Sequence, residues 1–158
     1  MLKKFFFLAI LPAIFSTQIF AQETFTHEAA QVSVTLPAGW IYENTEGGIV
    51  VHPSEGGFAV FLQVLSGDDL SASLAAADQE LQANYTNLQW GEAVARDVNG
   101  MSAITVDGTA DGILLTVGVI DCPAPNTTLM VGAWGTPDVI ERYANDIMLI
   151  LGSISPAQ

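Results

Sequence analysis

Positive charge is the scarcest property of this sequence. Four lysines and arginines stand against 17 aspartates and glutamates, for a net charge of −13 at pH 7. Such a surface repels phosphate backbones, which argues against nucleic acid as a partner, and it disfavours anionic membrane surfaces for the same reason. Cysteine is nearly absent. With Cys122 alone, no intramolecular disulfide can form, and the fold must rest on its core even in an oxidising compartment. Histidine occurs only as His27 and His52. No local spacing groups them with further ligands, so no metal site is expected. After residue 21 there is no apolar run approaching the ~20 residues that a membrane-spanning helix requires.

What the chain does have begins at its first residue. Met1-Leu2-Lys3-Lys4 is followed by an apolar segment from Phe5 to Phe15, a polar Ser16-Thr17-Gln18, and Ile19-Phe20-Ala21. This is the three-part layout of a secretory signal peptide, with cleavage expected after Ala21. The apolar segment is too short to span and contains Pro12. No cysteine follows the cleavage point to carry a lipid. The expectation is a signal peptide over 1–21 and a single domain over 22–158. The product is exported to the periplasm or the medium, monomeric and without a stable membrane anchor. Cleavage also removes Lys3 and Lys4. Arg96 and Arg142 then face all 17 acids, a net charge of −15, which helps keep an otherwise apolar domain soluble.

Alternation marks the strands. Val32, Val34 and Leu36 alternate with polar residues, Trp40-Ile41-Tyr42 and Ile49 to His52 form two further short strands, and Glu46-Gly47-Gly48 is the turn between them. Phe58 to Leu65 is apolar on both parities, which predicts a central strand covered on both faces. Leu70, Leu74, Ala77, Leu81 and Tyr85 then share one helical face, with Asp69 or Ser71 as candidate caps. Asp68-Asp69 reads as part of that helix start, not as an acid–base pair. Leu88 to Val98 reads as one strand, followed by strands near 101–110, 113–122 and 127–134. Thr136-Pro137-Asp138 starts a second helix lined by Ile140, Tyr143, Ile147 and Ile150, and Gly152 is its expected stop.

The stretch VDGTADGILL, Val106 to Leu115, admits two readings. Asp107, Thr109, Asp111 and Gly112 match positions 1, 3, 5 and 6 of a calcium loop, but position 12 is Gly118, which supplies no carboxylate. A tight turn at Asp111-Gly112 instead pairs Ala110 with Ile113, Val106 with Val117 and Ile104 with Val119, all apolar and on one face. A turn at Asp107-Gly108 would set Asp111 against Ile104 and put polar groups on the core side. In the favoured register Asp107 and Asp111 lie roughly 13 Å apart along the chain, too far to share an ion. A turn is expected here, and no metal.

The order of Leu36-Pro37-Ala38-Gly39-Trp40, the Gly108-Thr109 and Asp111-Gly112 hairpin, and a final helix from Thr136-Pro137 to Ile150-Leu151-Gly152-Ser153-Ile154 resembles the PsbP-like domains. The resemblance spans roughly Gln31 to Ser155. It implies an α+β fold, a central antiparallel sheet with helices on both faces in an α/β/α sandwich. It also implies protein-binding or assembly roles of the kind such domains serve. No catalytic or ligand residue of the family maps onto a position here. The long N-terminal extension of the photosystem subunit is missing, so a photosynthetic role does not transfer.

Chemistry-bearing residues are few. His27, beside Glu28, reads as solvent-exposed, and Cys122, before Pro123-Ala124-Pro125, as a structural thiol at a strand end. Asn84-Tyr85-Thr86 and Asn126-Thr127-Thr128 fit the glycosylation sequon, relevant only in a eukaryotic source. Trp40, Tyr42, Trp90 and Trp134 are the candidate partner surface, since aromatics at strand ends commonly anchor partners. The reading is a non-catalytic exported domain without cofactor, a protein-binding or assembly module of the cell envelope. The alternative is a small-molecule or lipid binder with a pocket between sheet and helix, for which a cavity of about 300 Å³ or more is the signature. A hydrolase built on Cys122 would need a histidine within hydrogen-bonding reach.

Overall fold

Eleven strands and two helices occupy the residues described by the computed structural model, 22–67 and 69–158. The expected leader, 1–21, lies outside them, as does Asp68. In chain order the elements are β1 (Thr24–His27), β2 (Val32–Thr35), β3 (Trp40–Thr45), β4 (Gly48–Pro53), β5 (Val60–Ser66) and α1 (Leu70–Asn84). They continue with β6 (Gln89–Trp90), β7 (Val94–Val98), β8 (Met101–Ala110), β9 (Ile113–Asp121), β10 (Thr127–Gly135), α2 (Pro137–Ser153) and β11 (Ser155–Pro156).

The β8–β9 hairpin adopts the register that its apolar pattern requires. Ala110 faces Ile113, Val106 faces Val117 and Ile104 faces Val119. Asp111 and Gly112 have φ of 51° and 84°, the pair of left-handed residues that a type I′ turn uses to match strand twist. The two aspartates are engaged separately. Thr116 Oγ1 donates to Asp107 at 2.7 Å, while the backbone N–H and hydroxyl of Thr86 donate to Asp111 at 2.9 and 2.7 Å. These bonds, led by the Thr86 hydroxyl, hold the Asp111 carboxyl below its usual range.

All strand pairs are antiparallel. The main sheet runs β3-β4-β5-β10-β9-β8, with β6 and β7 sharing the outer edge of β8. That edge was expected to be one strand over 88–98. It is broken at Gly91–Ala93, and the Gly91 N–H turns in to the Asp107 carbonyl at 2.8 Å. A second sheet, β1-β2-β11, was not anticipated: Thr24–His27 is too short for a pattern, and Ser155–Pro156 follows a helix.

Pleat alternation divides the core in two. Leu129, Val131 and Ala133 of β10 pack with Tyr143, Ile147 and Ile150 of α2 and with Val32 and Val34 of β2. Met130 points the other way, with Val117, Val119 and Val106, against Ala77 and Leu81 of α1. Helices therefore cover both faces, and the fold is α+β. Asp69 starts α1 by accepting from the Ala72 N–H at 3.0 Å. Thr136 occupies the N-cap of α2, but its hydroxyl donates to Asp138 at 2.6 Å and lowers that carboxyl's pKa. Gly152 does not stop α2, which runs on to Ser153.

The two faces are covered unequally. One carries α2 together with the small sheet; the other, among the described residues, carries only α1, which packs over β8, β9 and β10. β5 is therefore not sealed on both sides as its sequence suggested. Val60 and Leu62 are buried beneath α2, while Phe61 and Gln63 on the opposite face are only half-buried.

Candidate functional site

Where α1 leaves the sheet, a groove of about 420 Å³ opens beside it. Its wall is a single helical stripe, Ala77, Glu80, Leu81, Asn84 and Tyr85, with the i, i+3, i+4, i+7 spacing of one helix face. Its floor comes from β5 and β10, with Phe61, Gln63, Met130, Gly132 and Trp134. Phe61 and Trp134 stack with centroids 4.6 Å apart and planes 1° from parallel. Gly132 makes that arrangement possible, because a Cβ there would sit 2.9 Å from the Trp134 ring. A second groove of about 340 Å³ lies on the other flank of α1, between Leu74, Asp78 and Trp90.

Polar groups around α1 fall into two kinds. Asp78 is saturated: the Trp90 indole N–H donates at 2.6 Å and the Gln82 amide donates to both carboxylate oxygens at 2.9 Å. Glu80 is exposed, and the bond recorded for it is a backbone one, its carbonyl accepting from Asn84 Nδ2 at 2.9 Å. Beyond the groove, the uncovered face continues through Val50 and His52 of β4 to Ile41 and Glu43 of β3, as the strand register requires. Ile41 is 39% exposed, and the His52 imidazole lies 3.6 Å from Glu43. β3 forms the sheet edge.

The four aromatics expected to make one surface are dispersed. Trp40 is 5% exposed and belongs to the core, edge-on to Phe58 and Tyr143, with its indole N–H donating to Asp146 at 3.0 Å. It is unavailable to a partner; a buried indole with a carboxylate for its one polar atom is a stable arrangement. Tyr42 is exposed on the β3 edge, stacked on Phe25 at 4.3 Å. Trp90 sits at the opposite edge, on β6, and Trp134 between them on β10. Sequence reasoning missed Phe61 and Gly132, whose roles depend on how the Trp134 ring lies.

His27 also departs from expectation. It is 4% exposed on β1, and neither ring nitrogen has a hydrogen-bond partner. Its expected exposure rested on a polar neighbour, Glu28, but β1 turns its side chain inward. Cys122 is buried, its thiol donating to the Ile120 carbonyl at 3.5 Å. Desolvation pushes its pKa up to about 11, with a smaller contribution from Asp121. The thiol is therefore protonated at neutral pH, and no histidine hydrogen-bonds to it among the described residues. Those residues hold no group of three metal-ligating side chains and no helix long and apolar enough to cross a membrane.

No protein-family model matches the chain, and no curated protein matches its sequence. Solved structures do match. Cyanobacterial PsbP from Synechocystis sp. PCC 6803 is 11% identical with a TM-score of 0.61, over 88% of this chain and 94% of that one. LpqN, involved in cell envelope biogenesis of Mycobacterium tuberculosis, is 18% identical with a TM-score of 0.62, over 87% of this chain and 91% of that one. Identities this low convey architecture only. The antiparallel sheet, the helix on each face and the order of elements together make this a PsbP-like domain fold.

Proposed function

We propose that the protein is an exported, non-catalytic binding module of the cell envelope that engages a protein partner through the uncovered part of its sheet. One observation carries this reading. The α2 face is sealed by a helix and a second sheet, whereas the α1 face stays open from Phe61 out to Ile41 on the edge strand β3; Tyr42, also exposed on that edge, points to the other face and stacks on Phe25. An open edge flanked by apolar side chains suits addition of an extended segment, whose backbone completes the ladder while its side chains meet the sheet face. The strongly acidic surface selects a partner segment carrying basic residues. The fold shared with LpqN supports an envelope setting.

The test is capture from envelope extract by the wild-type protein and by a variant with Ile41→Lys and Tyr42→Lys. Lysine on an edge strand blocks strand addition. A partner retained by wild type and lost by the variant supports the reading; equal capture removes it. The groove beside α1 favours a second reading, a small-molecule or lipid binder, because its volume falls within the range of ligand sites, roughly 300–1,000 Å³.

A further inference from the structure

The distribution of charge gives the groove a chemical preference. The two arginines lie on the other side of the sheet. Arg142 is on α2, and Arg96 on β7 faces Ala103 and Thr105, which belong to the α2 face. Among the described residues the α1 face therefore holds no lysine or arginine, while Glu80 stands in the groove wall with no ion pair recorded for its carboxylate. In the same groove Phe61 and Trp134 are each half-buried and stacked on one another. An aromatic face attracts a cation through its quadrupole, and more so in a partly desolvated site. A carboxylate and an aromatic pair lining one groove make it attractive to positive charge on two counts.

We propose that the groove between α1 and strands β5 and β10 binds a small organic cation, its apolar body against Phe61 and Trp134 and its ammonium or guanidinium group at Glu80. This rests on the small-molecule reading and is independent of a protein partner at β3. Anionic amphiphiles are disfavoured by Glu80 and the lack of a compensating base. Gln63 adds an amide on the floor, able to accept a further N–H. The occupant is a free small molecule: the volume of about 420 Å³ is that of a ligand site.

Three probes with one phenyl body isolate the charge: phenethylammonium, 2-phenylethanol and phenylacetate. Binding is read by Trp fluorescence and by chemical-shift changes at the Trp134 and Gly132 amides. The cation is expected to bind roughly tenfold more tightly than the alcohol, with phenylacetate weakest. Glu80→Gln should reduce the preference for the cation over the alcohol, and Glu80→Lys should invert the order in favour of phenylacetate. Glu80 is exposed, so neither change threatens folding. Trp134→Phe should weaken all three probes together. Equal binding of all three probes at Trp134, unaffected by Glu80→Gln, overturns the cation assignment and leaves a small-molecule groove standing. Absence of binding by any probe at millimolar concentration overturns both.

Discussion

Alanine at two glycines near hairpin turns should cost very different amounts, because the structure assigns them different burdens. Gly112 has φ of 84° and no atom within 4 Å of the position a Cβ would take. Its replacement carries only the left-handed backbone penalty of about 1–2 kcal/mol, offset in part by the reduced freedom of the unfolded chain, ~0.4–1 kcal/mol. The net loss is about 1 kcal/mol. Gly48 has φ of 142°, and a Cβ there would run into the Leu62 carbonyl and stand 3.0 Å from Gln63 Cα. Both obstacles are backbone of the neighbouring strand, so no side-chain rotation relieves them. Strained backbone at ~1–3 kcal/mol and overpacking at ~1–3 kcal/mol together give a loss of about 3–5 kcal/mol. That is a large share of the ~5–15 kcal/mol available to a typical domain. For a chain of this size each kcal/mol lowers Tm by about 4 °C. Thermal unfolding followed by circular dichroism should therefore show Gly112→Ala falling about 4 °C and Gly48→Ala more than about 12 °C. Equal losses, or a larger loss at Gly112, would refute the separation of strain from collision.

Cys122, with its pKa raised from an ordinary 9.0 to about 11, should be alkylated by iodoacetamide at pH 8 far more slowly in the folded than in the urea-unfolded protein; equal rates would contradict its burial. Because the raised group is the neutral form when folded, its contribution to stability is complete below pH 9 and declines as pH rises towards about 11, which urea midpoints across that window measure. Asp111 has the opposite sign. Its carboxyl is lowered from 3.8 by Thr86, so its contribution is present above that value and disappears as pH falls through the folded pKa. Asp111→Asn should lose less stability than wild type on acidification below pH 4, and parallel curves would argue against the Thr86 bonds. His27→Leu removes two buried, unpartnered nitrogens and should raise stability by about 1 kcal/mol. A drop in Tm would mean that the imidazole has a polar partner.

The parts of the fold legible in sequence are those where a local rule decides. Asp111-Gly112 set the β8–β9 register because any other turn places polar groups among Ile104, Val106 and Val117. Asp69 and Thr136-Pro137 marked the helix starts through capping and proline preference. Tertiary context decided the rest. β1 and β11 are too short to announce themselves and exist as strands because β2 lies between them. His27 is buried by that same sheet, whatever its neighbour in sequence. Trp40 read as a surface aromatic because nothing local reveals Asp146, 106 residues away, as its hydrogen-bond partner. A sheet–helix pocket was only the alternative reading, and Trp134 was singled out without its neighbours: Phe61 gains significance from Trp134, and Trp134 can lie as it does only because position 132 is glycine.

The seam between β5 and β10 has a consequence for how the chain reaches this structure. β3-β4-β5 and β8-β9-β10 are each meanders closed by short turns, and β5–β10 alone joins them within the main sheet. Its register runs from Val60 against Ala133 to Ser66 against Thr127, and beside it Thr128 donates to the Gly67 carbonyl across a sequence separation of 61 residues. The entropy of closing that loop is spent before the seam returns any contact. The meanders are therefore expected to form early and independently, with their joining as the slow event, visible in stopped-flow kinetics as a folding rate more sensitive to Leu62→Ala than to Ile49→Ala. Until that event, two half-sheets each present an unpaired central strand, and this interval is when the chain is most exposed to pairing with another molecule.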